Sequence, residues 1–144
     1  MGEPLGSDEA QVLDANEAFY DAFADGDLDA LDALWAERAS VACIHPGWDA
    51  LYGREEVMAS WRAILSGERA PEVVCLDPTV HLYGDTAVVI CGEAIDEHFL
   101  IATNVFVRED GEWRLCHHQA GPVSGQRPEG RLRRRGQRKA GMLN

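Results

Sequence analysis

Apolar positions follow two rhythms along this chain, one after the other. From Asp8 to Ala24, Val12, Leu13, Asn16, Phe19, Tyr20 and Phe23 recur at helical spacing, with Asp14, Glu17, Asp21 and Asp25 mostly opposite, which predicts an amphipathic helix. Gly26 ends it, and Asp27 is placed to cap a second helix whose stripe is Leu28, Leu31, Leu34 and Trp35. At Ser40–His45 the period drops to two: Val41, Cys43 and His45 share one face of a strand, Ala42 and Ile44 the other, and Pro46-Gly47 breaks it. Helical spacing returns from Gly53, with Val57, Trp61, Ile64 and Leu65 on one side and Ser66-Gly67 as the stop.

Beyond that point the chain reads as strands. Glu72–Tyr83, Thr86–Ala94, Phe99–Arg108 and Trp113–Gly121 are rich in β-branched and aromatic residues, with hairpin turns at Gly84-Asp85 and Glu109-Asp110-Gly111. Three helices followed by consecutive hairpins predict an α+β domain, a curved and mainly antiparallel sheet whose concave face is covered by the helices. Such a sheet leaves room for a cavity. An outer sheet face carrying residues such as Val89, Cys91 and Val105 would favour burial against a second subunit.

Charge divides the chain. Residues 1–124 carry 6 Arg against 24 acidic residues, whereas residues 125–144 carry 7 Arg and Lys against one Glu. The acidic body argues against nucleic acid or an anionic membrane as main partner. The tail, GQRPEGRLRRRGQRKAGMLN, has too few apolar residues to build a core and is expected to be a disordered extension, with RNA, an acidic protein or the acidic face of a dimer partner as the partner its arginines would suit. Residues 1–7 are expected to be a flexible lead into one domain over 8–124. No stretch approaches a membrane span, so a cytoplasmic protein is expected. Cys43, Cys75, Cys91 and Cys116 are too widely spaced for a CxxC site and read as reduced core thiols.

The candidate chemistry gathers where strand meets turn. His45 shares its face with Cys43, and in the last strand Cys116, His118 and Ala120 share one parity while His117 and Gln119 take the other. An imidazole takes or gives a proton near neutral pH, so His45 and His118, with the amide of Asn104 bonding a carbonyl oxygen, make an acid–base set. Phe19, Trp35, Trp61 and Phe106 are candidate walls for a small apolar or ring-containing ligand. Trp48 and Tyr52, in the turn after the first strand, are candidate selectors at the pocket mouth, with Cys43 beside them. His117 and His118 point to opposite faces, so no metal is expected. No nucleotide loop, dinucleotide fingerprint or serine elbow is present, so no cofactor is expected.

The run ANEAFYDAFADGDLDALDALWAERASVACIHPG, the helix start LYGREEVMASW and the strand GEWRLCHHQAG together resemble the nuclear transport factor 2-like superfamily over residues 8–124, and most of all its SnoaL-like branch. The resemblance implies a cone of bent antiparallel sheet packed on three N-terminal helices, also described as a cystatin-like roll. It further implies an enclosed apolar pocket and a homodimer formed through the sheet. Relatives include polyketide cyclases, dehydratases and ketosteroid isomerase. Through the Gly-Asp-Leu-Asp match, the isomerase's general base falls on Cys43, its oxyanion-hole Tyr on Phe19 and its oxyanion-hole Asp on Asn104, and none is retained in kind. The expectation is therefore a small-molecule protein, either a cofactor-independent isomerase, dehydratase or cyclase, or a dimeric binding or assembly domain without catalysis.

Overall fold

A computed structural model describes residues 7–67 and 71–124. The basic tail, residues 1–6 and residues 68–70 lie outside the described residues. Helices α1 (Asp8–Asp25), α2 (Leu28–Leu34) and α3 (Gly53–Leu65) are accompanied by β1 (Ala42–Ile44), β2 (Leu51–Tyr52), β3 (Val73–Tyr83), β4 (Thr86–Ile95), β5 (His98–Glu109) and β6 (Glu112–Pro122). The six strands form one curved, open sheet in the order β2-β1-β6-β5-β4-β3, antiparallel except where β1 runs parallel to β6. The α+β cone expected from the sequence is the fold. No helix among the described residues is long and apolar enough to cross a membrane.

Local chemistry explains the helix ends. Ser7 Oγ accepts from Ala10 N–H at 3.1 Å, with Asp8 and Glu9 in the first turn of α1 where the helix dipole favours negative charge. Gly26 ends α1 at φ +67°, a left-handed conformation that lets Asp27 N–H reach Ala22 O at 2.9 Å. Asp27 then caps α2 through Ala30 N–H. The expected second helix stops one residue short of Trp35, because Trp35 leaves the helix to bridge Leu115 of β6 and its carbonyl is held by Arg54. The link from α2 to β1 is tied down by Glu109, which accepts from the backbone N–H groups of Glu37, Arg38 and Ala39 at 2.8–3.1 Å. Those bonds, led by the one from Glu37, hold its carboxyl below the usual carboxylate range. The short β2 was not foreshadowed by any two-residue period.

Alternation along β4 sends Ala87, Val89, Cys91 and Glu93 inward, all fully buried, and along β5 it sends Leu100, Ala102, Asn104 and Phe106 inward. This corrects the expected open face. Val89 and Cys91 pack under the helices, and only Val105 of that trio belongs to the outer surface, where Val88 and Ile90 stand beside it. A second correction concerns β6. Val105 pairs with His117 but Phe106 with Leu115, so Cys116 is an extra residue in a β-bulge. Trp113 and Leu115 face inward on one side of the bulge and His118 and Ala120 on the other, and Cys116 is half-buried instead of sharing the His118 phase.

Candidate functional site

Three elements converge under α1. Register places Cys43 of β1 beside His118 of β6, and His118 beside Asn104 of β5. From above, α1 presents Asn16, Phe19, Tyr20 and Phe23, while α3 presents Ser60 and Trp61. Phe19 sits at the centre, its ring 5.1 Å from His118, 5.7 Å from Trp61 and 4.8 Å from Tyr20. Trp61 lies 4.8 Å from His45 and 6.0 Å from His118. His45, His118, Asn104, Cys43, Phe19 and Trp61 are thus brought together.

Trp48 joins them from the loop: its N–H bonds His45 O at 2.9 Å and its ring lies 4.8 Å from the imidazole, leaving Trp48 45 % exposed as the outer wall. Tyr52 is not brought in. It pairs with Ala42, on the opposite face from Cys43, and is 69 % exposed. Phe106 lies on the same inward face as Asn104, and Trp35 is buried at the end of α2.

Hydrogen bonds fix the proton positions. Ser60 donates its hydroxyl to Val57 O at 2.6 Å, so His45 Nε2–H must be the donor in the 2.8 Å contact to Ser60 Oγ. That leaves a bare Nδ1 at 3.9 Å from Cys43 Sγ. His118 Nδ1–H donates to Asn104 Oδ1 at 2.6 Å, so its Nε2 carries the lone pair, 3.8 Å from Glu93 Oε2. Asn104 Nδ2 donates to Asn16 Oδ1 at 2.9 Å and to Tyr20 Oη at 3.2 Å. The Asn104 amide is therefore engaged on both sides by the protein, and it orients His118 and Tyr20.

Sequence reasoning missed Glu93, Tyr20 and Asn16. Tyr20 donates to Glu93 Oε2 at 2.6 Å, and the other carboxyl oxygen, Oε1, is buried with no partner. Burial lifts the Glu93 carboxyl to about 7. It drops His45 to about 4 and, reinforced by the nearby His45 and His117, His118 to about 3. It raises the Cys43 thiol to about 12 and Tyr20 well above its ordinary range. At neutral pH the set is two neutral imidazoles, a phenol, a thiol and one carboxyl that exchanges its proton. The signal for Glu93 was available: it continues the inward phase Ala87, Val89, Cys91.

No three His, Cys, Asp or Glu side chains among the described residues are grouped as metal ligands. A surface cleft of about 470 Å³ lies elsewhere, between α1, the end of α2 and the β5–β6 turn, lined by residues including Gln11, Asp14, Leu34, Trp113 and Arg114.

Comparison with known proteins agrees with this architecture. The SnoaL-like domain model matches residues 12–123. A crystal structure of a candidate dehydratase of the NTF2-like family from Streptomyces avermitilis is 37 % identical, covers 81 % of this chain and 96 % of its own, and superposes with a TM-score of 0.75. A candidate calcium/calmodulin-dependent protein kinase type II association domain from Thiobacillus denitrificans is 35 % identical, covers 76 % of this chain and 93 % of its own, with a TM-score of 0.65. Among curated proteins, F-box protein SKIP8 of Arabidopsis thaliana is 26 % identical over 111 residues, 76 % of this chain, and the match spans about half, 48 %, of that relative. The chain belongs to the SnoaL-like branch of the nuclear transport factor 2-like superfamily.

Proposed function

We propose that the protein is a cofactor-independent acid–base enzyme acting on a small carbonyl compound, of dehydratase or isomerase type, with Glu93 as the proton carrier. The observation that carries this reading is a fully buried carboxyl held near neutrality, with Tyr20 bonded to one oxygen and the bare nitrogen of an oriented imidazole 3.8 Å away. The S. avermitilis relative's description as a candidate dehydratase supports the same class. In such a step the Glu93 carboxylate takes the proton from the carbon beside the carbonyl. It then gives that proton to a departing hydroxyl, which breaks the C–O bond and releases water, or to another carbon. Either route returns Glu93 to its starting form. Tyr20 positions the carboxyl, and Asn104 positions both Tyr20 and His118.

The test is solvent-deuterium incorporation at C2 of 1-indanone, followed by NMR against a no-protein control. Exchange faster than the control, with a rate that rises through about pH 7 as Glu93 ionises, is the expected result. Exchange no faster than the control at every pH would remove the proton-transfer reading.

A second reading, an assembly domain built on a homodimer through the sheet, is supported by the outer face. Val74 and Ile90 are 43 % and 40 % exposed there, next to the half-buried Val88, Ile101 and Val105. The T. denitrificans association-domain relative points the same way. Light scattering should report a dimer for the native chain and a monomer for Ile90→Glu, and a native monomer would refute it.

A further inference from the structure

The surface cleft of about 470 Å³ between α1, the end of α2 and the β5–β6 turn has a lining of mixed character. Leu34 and Ala15 give it apolar surface, while Asp14 of α1 and Glu112 of β6 give it carboxylates. Both acids are exposed, and neither is ion-paired among the described residues. Glu17, also exposed, follows Asp14 one turn along α1. The arginines of the described body are engaged elsewhere or stand apart from the cleft. Arg38 pairs with Asp110, Arg54 with Asp32, and Arg108 with Asp8 and Asp85. Arg114 lines the cleft but donates to Ala33 O, and Arg62 belongs to α3, outside the lining.

We propose that this cleft is the docking surface for the chain's own basic run, Arg131–Lys139. Guanidinium groups of the run pair with Asp14 and Glu112, and their methylene stems cover Leu34 and Ala15. This contact is independent of the acid–base reading and lies on the outside of the cone.

Charge and chain length select this occupant. Arg131, Arg133, Arg134, Arg135, Arg138 and Lys139 carry six positive charges in a stretch with no acid, against 24 acidic residues and 6 Arg in residues 1–124. That acidic body repels a free polyanion but attracts the run, which is tethered to it. β6 starts beside the cleft at Glu112 and ends at Pro122, so the chain leaves the strand about 35 Å away, at ~3.3 Å per residue. Arg135 lies eleven residues beyond Ser124, a reach of up to about 38 Å. Arg138 and Lys139 reach further. Arg127, only three residues beyond Ser124, extends about 10 Å and falls short. A docked run is also withheld from RNA, which must compete with the cleft for the same arginines.

Backbone amide NMR of the full-length protein tests the contact. At about 20 mM salt, Arg134→Ser/Arg135→Ser/Arg138→Ser should shift the amides of Asp14, Gly111 and Glu112, and about 500 mM salt should shift them the same way in the native protein. Arg127→Ser should leave them in place. Cleft amides that ignore the triple variant, or that respond equally to Arg127→Ser, would overturn the docking. Mixing decides whose tail is bound: cleft amides of the ¹⁵N-labelled triple variant should stay put when excess unlabelled native protein is added. Movement toward the native positions would assign the cleft to another copy's tail and overturn the proposal. Finally, Asp14→Gln/Glu112→Gln should bind an oligouridine of about 20 nucleotides roughly tenfold more tightly than the native chain at low salt. Glu55→Gln/Glu97→Gln, an equal charge change outside the cleft, should alter that affinity by less than about twofold. Equal gains from the two pairs would show that general repulsion, and not a docked tail, holds the RNA off.

Discussion

Glu93→Gln should lower 1-indanone exchange by at least about 10²-fold and, at the same time, make the protein more stable in alkali. The two effects share one cause. Glu93 is fully buried, and burial raises its pKa from the usual 4.5 to about 7. Between those values the folded protein binds the proton that the unfolded chain has released, so stability falls as pH rises through that window. It is lowest above pH 7, where the full cost of about 3 kcal/mol applies. Glutamine preserves shape and an acceptor for Tyr20 but carries no charge. Urea unfolding should therefore show little difference between native and variant near pH 4.5 and a growing advantage for the variant up to pH 8. A difference that does not vary over this range would show that the carboxyl does not titrate as proposed, and unchanged exchange would show that it is not the proton carrier.

The second large effect runs the other way along the pH axis. His45 and His118 have folded-state values depressed from 6.5 to about 4 and about 3, so the unfolded chain takes up protons first as pH falls below 6.5. Stability is fully present above 6.5 and is lost downward, each imidazole contributing about 2 kcal/mol of loss by pH 5. In the native protein this slope opposes that of Glu93 between pH 4.5 and 6.5, and the curve is flattened. In the Glu93→Gln background the acid limb should emerge, stability falling by at least about 4 kcal/mol from pH 7 to pH 5, with the half-buried His117, also depressed by burial, adding to it, and His45→Gln or His118→Gln should each remove about 2 kcal/mol. Urea midpoints at pH 7, 6 and 5 decide this, and a midpoint in Glu93→Gln that does not fall with acid would contradict neutral buried imidazoles.

Strand alternation and helix periodicity were enough to read the α+β order, the inward aim of His45 and the burial of Phe19 and Trp61, because these follow from local period and one buried face. His118 also faces inward, but the expectation set it in phase with Cys116, and a bulge that depends on pairing with β5 separates the two. Glu93 obeys the same alternation, but a carboxylate in an apolar run carries no periodic mark of its own, and it falls on none of the three positions at which the isomerase keeps its acid–base groups. The hydroxyl that the isomerase carries at the position of Phe19 is absent there, and a phenol stands one residue along, at Tyr20, on the same buried face of α1. Trp48 and Tyr52 share one turn region in the sequence, but only a loop bond, Trp48 N–H to His45 O, turns the first back onto the cluster. Nothing in the spacing of residues 46–52 encodes that turn.

The bulge at Cys116 lets β6 keep two separate phases within one continuous strand. The hairpin end, Trp113 and Leu115, is in register with Phe106 and the helix ends, while the far end, His118 and Ala120, answers to β1 and the polar cluster. An inserted residue is absorbed at the joint between these sections and is not passed along the strand. The end of β6 that carries the polar cluster can therefore change its side chains without shifting the register of the hairpin end.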